Sequence, residues 1–185
     1  MAVEMKVFST GIDPGDWIPQ RFTQPGAGVT PPIFWQHLPP QTRSLVLLME
    51  HREAKPEERI FWLVYDIPPT VEGIHEGGPL PDGAKLGRNS FGETRYRAPE
   101  ASAERTLQHY DFVLLATDLD SLGLPAGADW DAVKQALRGH HPPEDLAPPP
   151  AIDARARELH PLSHVLDHAE FSGHFALDTD APVKT

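Results

Sequence analysis

His51 and Glu53, two residues apart, are the pairing in this sequence best suited to proton chemistry. An imidazole titrates near neutrality, and a nearby carboxylate can raise its pKa or orient it, which is what a general acid–base pair requires. Both residues lie in EHREAKPEER, whose charge density fits a solvated connection equally well. Gln108 and Tyr110 sit at alternate positions, where both could hydrogen-bond a carbonyl or simply pack in a strand. Toward the end of the chain stand His160, His164, His168 and His174. On a helix, a spacing of four puts His164 and His168 on one face, a geometry that can hold zinc, with Asp167 and Glu170 nearby. No Glu follows the first of them as in H-E-x-x-H, and Pro161 breaks the register to His160, so no metal site and no cofactor are expected. His140 and His141 read as a helix end, where positive charge is favoured. GRNSFG, from Gly87 to Gly92, lacks the Lys-Ser/Thr that follows a phosphate-cradling loop. It reads as structural support, with both glycines free to take positive φ and Arg88 tying the loop to the core.

Elements must hold these residues in place. SLVLLM (residues 44–49), IFWLVYDI (60–67) and YDFVLLAT (110–117) are short apolar runs, and they read as strands. The first is apolar throughout, as a strand buried on both faces would be. DWDAVKQAL (129–137) reads as a helix capped by Asp129, with Trp130, Val133 and Leu137 on one face and Gly139 as its stop. Residues 17–40 form a turn-rich lead-in anchored by Trp17, Phe22, Phe34 and Trp35. Residues 142–150 are a proline-rich hinge. AIDARARELH and PLSHVLDHAEF read as two short helices, with Pro161 opening the second.

The 185 residues suit one domain, and 39% hydrophobic content is enough for a core. Twenty-one prolines would be hard to place in long helices, since each interior proline costs about 3 kcal/mol, so the composition leans toward β structure. A net charge of −11 disfavours nucleic acid and acidic membranes as partners. No apolar run approaches the ~18 residues of a membrane span, and no signal peptide is visible, so no membrane insertion and a cytoplasmic location are the expectations.

A set of ordered motifs carries a resemblance. IPQRFT, PGAGVTPPIFW, PPQTRSLVLLME, FWLVYDIP, LPDGAKLGRNSFG, HYDFVLLATDLD and LGLPAGADWDAVKQALRGH follow one another from Ile18 to His140. In order and spacing they are similar to the phosphatidylethanolamine-binding protein family, in its bacterial, Raf-kinase-inhibitor-like branch. The resemblance implies a mainly β fold: a sandwich of two β-sheets with peripheral and C-terminal helices and a small anion pocket at one end. Residues 1–142 would form that domain, 143–177 a divergent helical extension packed on it, and 178–185 a flexible tail. Family members usually continue past the GH with a strand-like segment. The proline- and histidine-rich tail here departs from that pattern, and reads as a helical cap or as a contact in a possible homodimer.

The resemblance also locates a pocket. In the family a DPDAP motif, an HW pair and an HRY strand surround a phosphate-sized hole. Here the first reads HREAK, placing His51 and Glu53 where two acids stand. Phe61 precedes Trp62 where the family has His, and Gln108 takes the place of the HRY histidine while Tyr110 is kept. Fewer charges and an added phenyl ring would bind phosphate monoesters poorly and an uncharged small organic ligand better. Two readings follow. One is a small-molecule-binding protein, with Phe61, Trp62, Gln108, Tyr110 and Arg88 as ligand contacts. The other is an enzyme isomerising or cyclising an organic intermediate, with His51 and Glu53 as catalytic residues. A third possibility is a scaffold whose pocket has been lost.

Overall fold

The computed structural model describes residues 3–100, 106–139 and 153–176. Nine strands form two sheets: β1 (Lys6–Phe8), β2 (Asp16–Trp17), β3 (Ile33–Gln36), β4 (Ser44–His51), β5 (Ile60–Ile67), β6 (Gly73–Ile74), β7 (Lys85–Leu86), β8 (Gln108–Thr117) and β9 (Val165–Phe175). The smaller sheet runs β1-β3-β6, the larger β2-β9-β8-β4-β5-β7. Two α-helices, α1 (Trp130–Arg138) and α2 (Ala154–Leu159), and two single 3-10 turns, Gln20–Phe22 and Pro56–Glu58, complete the described elements. The fold is the mainly β, two-sheet arrangement expected.

The apolar runs are continuous because the larger sheet is covered on both faces. One face meets the smaller sheet, burying Leu45, Leu47, Met49, Tyr110, Phe112 and Leu114 with Trp35 and Ile33. The other carries Val46, Leu48, Val113 and Leu115 against Trp130, Val133 and Leu137 of α1 and Leu159 of α2. Alternate residues of one strand therefore serve two cores. Asp129 caps α1 by accepting from the Ala132 amide at 2.9 Å, and Gly139 follows it at φ 68°.

The second tail helix expected over PLSHVLDHAEF is instead strand β9, paired antiparallel with β8 along its length. A helix there would leave the edge of β8, an almost wholly buried strand, without backbone partners, whereas β9 satisfies it. The signal for this was the alternation Phe171–Gly173–Phe175, all buried on the side that meets Ile12 and Ile18. A Cβ on Gly173 would lie 2.7 Å from the Ile18 side chain, so the close approach of strand and lead-in requires glycine there. The helical face that would have joined His164 and His168 is therefore not formed. His164 sits in the turn before β9, with Nδ1 2.8 Å from Asp118, and His168 is on the strand. The helix expected over AIDARARELH is present as α2, capped by Asp153. Of the two glycines of GRNSFG, Gly92 has φ 79°, but Gly87 is there for space, since a Cβ would meet Leu63 at 2.6 Å. His140, His141, the proline-rich hinge and residues 178–185 lie outside the described residues.

Candidate functional site

The end of β4 and the start of β8 bring the central residues together. His51 is paired directly across from Tyr110, so their side chains share a face, and the rings stack at 4.8 Å with 17° between planes. The two-residue period puts Gln108 on that face with Tyr110 and turns His109 away. Phe61 joins them through a bulge in β5. Met49 pairs with Trp62 and Glu50 with Ile60, which leaves Phe61 as the extra residue. Both Phe61 and Trp62 consequently point into the inter-sheet core, where strict alternation would have separated them.

These residues form a closed cage. Phe61 meets His51 edge-on at 5.6 Å, Tyr110 at 5.3 Å and Phe91 at 5.4 Å. Phe61 is 2% exposed, Tyr110 0% and Gln108 6%, so only His51 and Phe91 of this group reach the surface. Gln108 donates through Nε2 to the Thr106 carbonyl at 3.1 Å and to its hydroxyl at 2.7 Å. A carbonyl only accepts, so the amide orientation is fixed and Oε1 faces His51. The contact of 2.5 Å between that oxygen and His51 Nε2 therefore requires the proton on Nε2. Nδ1 is the nitrogen left for anything else.

Glu53 lies 3.6 Å from His51 Nε2, outside hydrogen-bond range. Its oxygens are held instead by His109, whose backbone amide donates at 2.8 Å and whose Nδ1 pairs with the other oxygen. Burial works against ionisation of Glu53, but the two His109 contacts outweigh it and hold the carboxyl below its ordinary range. Glu53 thus clamps the β4–β5 turn onto β8, next to His51 but not bonded to it.

The Tyr110 hydroxyl is buried and has no hydrogen-bond partner among the described residues. Burial pushes its pKa well up, against a smaller lowering by the Glu100 backbone, so it stays protonated. Trp62, 1% exposed, packs edge-on against Tyr96 at 5.2 Å, and its Nε1 is likewise without a partner among the described residues.

Arg88 is not part of this cluster. Its side chain is exposed and lines a separate hollow of about 340 Å³ with Ile60, Ser90 and Trp130. A basic group on the Phe91 side of the cage is Arg97, which sequence reasoning missed: it lies over the Phe91 ring at 3.8 Å. Glu93 at 2.9 Å and Glu100 at 2.7 Å both pair with it. Glu93 also pairs with Arg95, so two guanidiniums are matched by two carboxylates and no positive excess is left to attract an anion. Phe91 lies in GRNSFG, which the sequence marked as a supporting loop, whereas no local pattern marks Arg97 beyond it.

The fold and this cluster define a two-sheet β protein with a packed group of side chains where β4, β5 and β8 meet. Residues 8–146 match the family described as phosphatidylethanolamine-binding protein, and the chain belongs to that family. An Aquifex aeolicus relative known as a UPF0098 protein is 35% identical over 138 residues, covering 73% of this chain and 81% of its own. A UPF0098 protein of Methanothermobacter thermautotrophicus is 34% identical over 127 residues, 66% of this chain and 82% of the relative. Among solved structures, the putative phosphatidylethanolamine-binding protein homolog CT736 of Chlamydia trachomatis superposes with a TM-score of 0.74 at 25% identity. It covers 94% of this chain and 98% of its own. YbcL of Escherichia coli shares the fold with a TM-score of 0.75 at 19% identity, over 95% and 100% of the two chains. No described helix is long and apolar enough to cross a membrane.

Proposed function

We propose that this protein binds a small, uncharged organic ligand carrying a hydrogen-bond acceptor, such as a carbonyl, in the cage around Tyr110. The observation that carries this reading is the Tyr110 hydroxyl, buried and without a partner among the described residues. A buried donor left unpaired costs about 1–3 kcal/mol, and such groups usually have a functional explanation or a missing partner. A ligand oxygen would supply that partner. Phe61, Phe91 and the His51 ring would give it apolar walls, and His51 Nδ1 a second polar contact. Phe91, a partly exposed ring of the cluster, is the side chain that would have to turn aside to admit it.

A phosphate monoester is the wrong guest for these walls. His51 donates its Nε2 proton to Gln108, and Arg97 is paired with two carboxylates. Phe61 offers no donor at all. Acid–base turnover through His51 and Glu53 has less support than binding, because Glu53 is engaged by His109.

Ligand-detected mass spectrometry and thermal shift on the wild type, His51→Ala and Tyr110→Phe provide the test. Neutral carbonyl compounds and phosphate esters are screened side by side. Selective binding of the former that fails in Tyr110→Phe is the expected result. Phosphate-ester binding insensitive to both substitutions would overturn the reading.

A further inference from the structure

A cavity of about 490 Å³ opens beside His51 and runs under α2, among Glu50, Arg59, Arg155 and Glu158. Charges bridge helix and sheet across it. Arg59, just before β5, grips Glu158 with both terminal nitrogens, at 2.8 and 2.9 Å. Arg155 pairs with Glu50 on β4, and reaches Glu170 on β9 at 2.8 Å and Glu158 at 3.2 Å. Apolar anchoring is confined to one end, where Leu159, 9% exposed, and Leu162, 2% exposed, enter the core beneath α1. The first turn of α2 therefore stands on ion pairs over a hollow, while its last residue and the turn that follows are packed.

A helix of six residues has almost no stability of its own. Segments with few buried apolar contacts open locally well below the free energy of global unfolding. Burial disfavours the charge on Glu158, yet Arg59 and Arg155 hold its carboxyl below the usual range, so the latch is made of charged partners.

We propose that α2 is a charge-latched strap: its first turn lifts while Leu159 and Leu162 stay docked, and lifting widens the opening beside His51. Only the use of that opening, as a route for ligand to His51, rests on the binding reading above. The latch itself does not.

Hydrogen exchange read by mass spectrometry or NMR tests it without any ligand. Amides of Ala156, Arg157 and His160, bonded to Asp153 and Ala156, report the strap, while those of β8 and α1 report the body. Between about 10 mM and about 1 M salt the screening length falls from about 30 Å to about 3 Å. The strap amides are expected to exchange at least about tenfold faster at high salt, with β8 and α1 unchanged. Glu158→Gln is expected to give the same acceleration at low salt. Carbethoxylation of His51, followed by peptide mapping, should rise in step, with exposed His75 as the constant reference. Strap amides that exchange together with β8, or that ignore both salt and Glu158→Gln, would refute the latch. Faster amides with an unchanged His51 labelling rate would refute the strap as a cover for His51. A failure of carbonyl ligands to bind would instead touch only the proposed function.

Discussion

Replacing Tyr110 by phenylalanine removes one oxygen and keeps the ring that stacks on His51 and Phe61. If the hydroxyl is unpaired in the ligand-free protein, its removal relieves a desolvation cost of about 1–3 kcal/mol. Against this stands the void left by the oxygen, smaller than a methyl group and therefore worth under about 1 kcal/mol. The difference predicts that Tyr110→Phe is more stable than the wild type by about 1 kcal/mol. For a domain of this size that corresponds to about 2–4 °C in Tm. Urea denaturation should show a higher midpoint with an unchanged slope, since the buried surface is the same. The same variant should bind the carbonyl ligand at least about tenfold more weakly, the price of one lost hydrogen bond at about 1.4 kcal/mol. Stability and binding moving in opposite directions is the signature of a polar group kept for a ligand. A Tyr110→Phe protein that loses about 1 kcal/mol or more would show that the hydroxyl is satisfied without ligand, and the cage would then be ordinary core.

Phe61→His tests what the phenyl ring excludes: burying a polar ring at this bulge should cost about 1–3 kcal/mol and should produce a phosphate-dependent Tm increase that the wild type lacks. Glu53 has its carboxyl held low, so its contribution is present above its unfolded-state pKa and disappears as pH falls through the folded value. Thermal melts across acidic pH should therefore fall less steeply for Glu53→Gln than for the wild type, and identical slopes would remove Glu53 as a clamp. Phe171, stacked on Phe112 at 4.9 Å and 6% exposed, should cost about 3–5 kcal/mol on truncation to Ala in denaturant unfolding. A cost under about 1 kcal/mol would mean that β9 does not complete the core.

The strands β4, β5 and β8 and helix α1 could be read from the chain directly, because each carries its own local signal. The strands are built on mainly apolar runs, and α1 has a capping Asp129, a spaced apolar face and a terminating Gly139. Gln108 and Tyr110 could likewise be set on one face by counting, since a strand turns its side chains with period two. Three things required the tertiary structure. Phe61 and Trp62 point the same way only because β5 bulges against β4, an event settled by pairing and not by either strand alone. The segment 164–175 holds the spaced histidines of a helix and the alternating aromatics of a strand, and the unpaired edge of β8 decides between them. Glu53 lies two residues from His51 in the chain, but it bonds to His109, more than fifty residues away, because the β4–β5 turn folds across the start of β8. Residue spacing sets which groups are near one another along the backbone. Which of them share a proton, fill a cavity or stay unpaired depends on contacts between strands distant in sequence, and those are energetic choices made by the whole core at once.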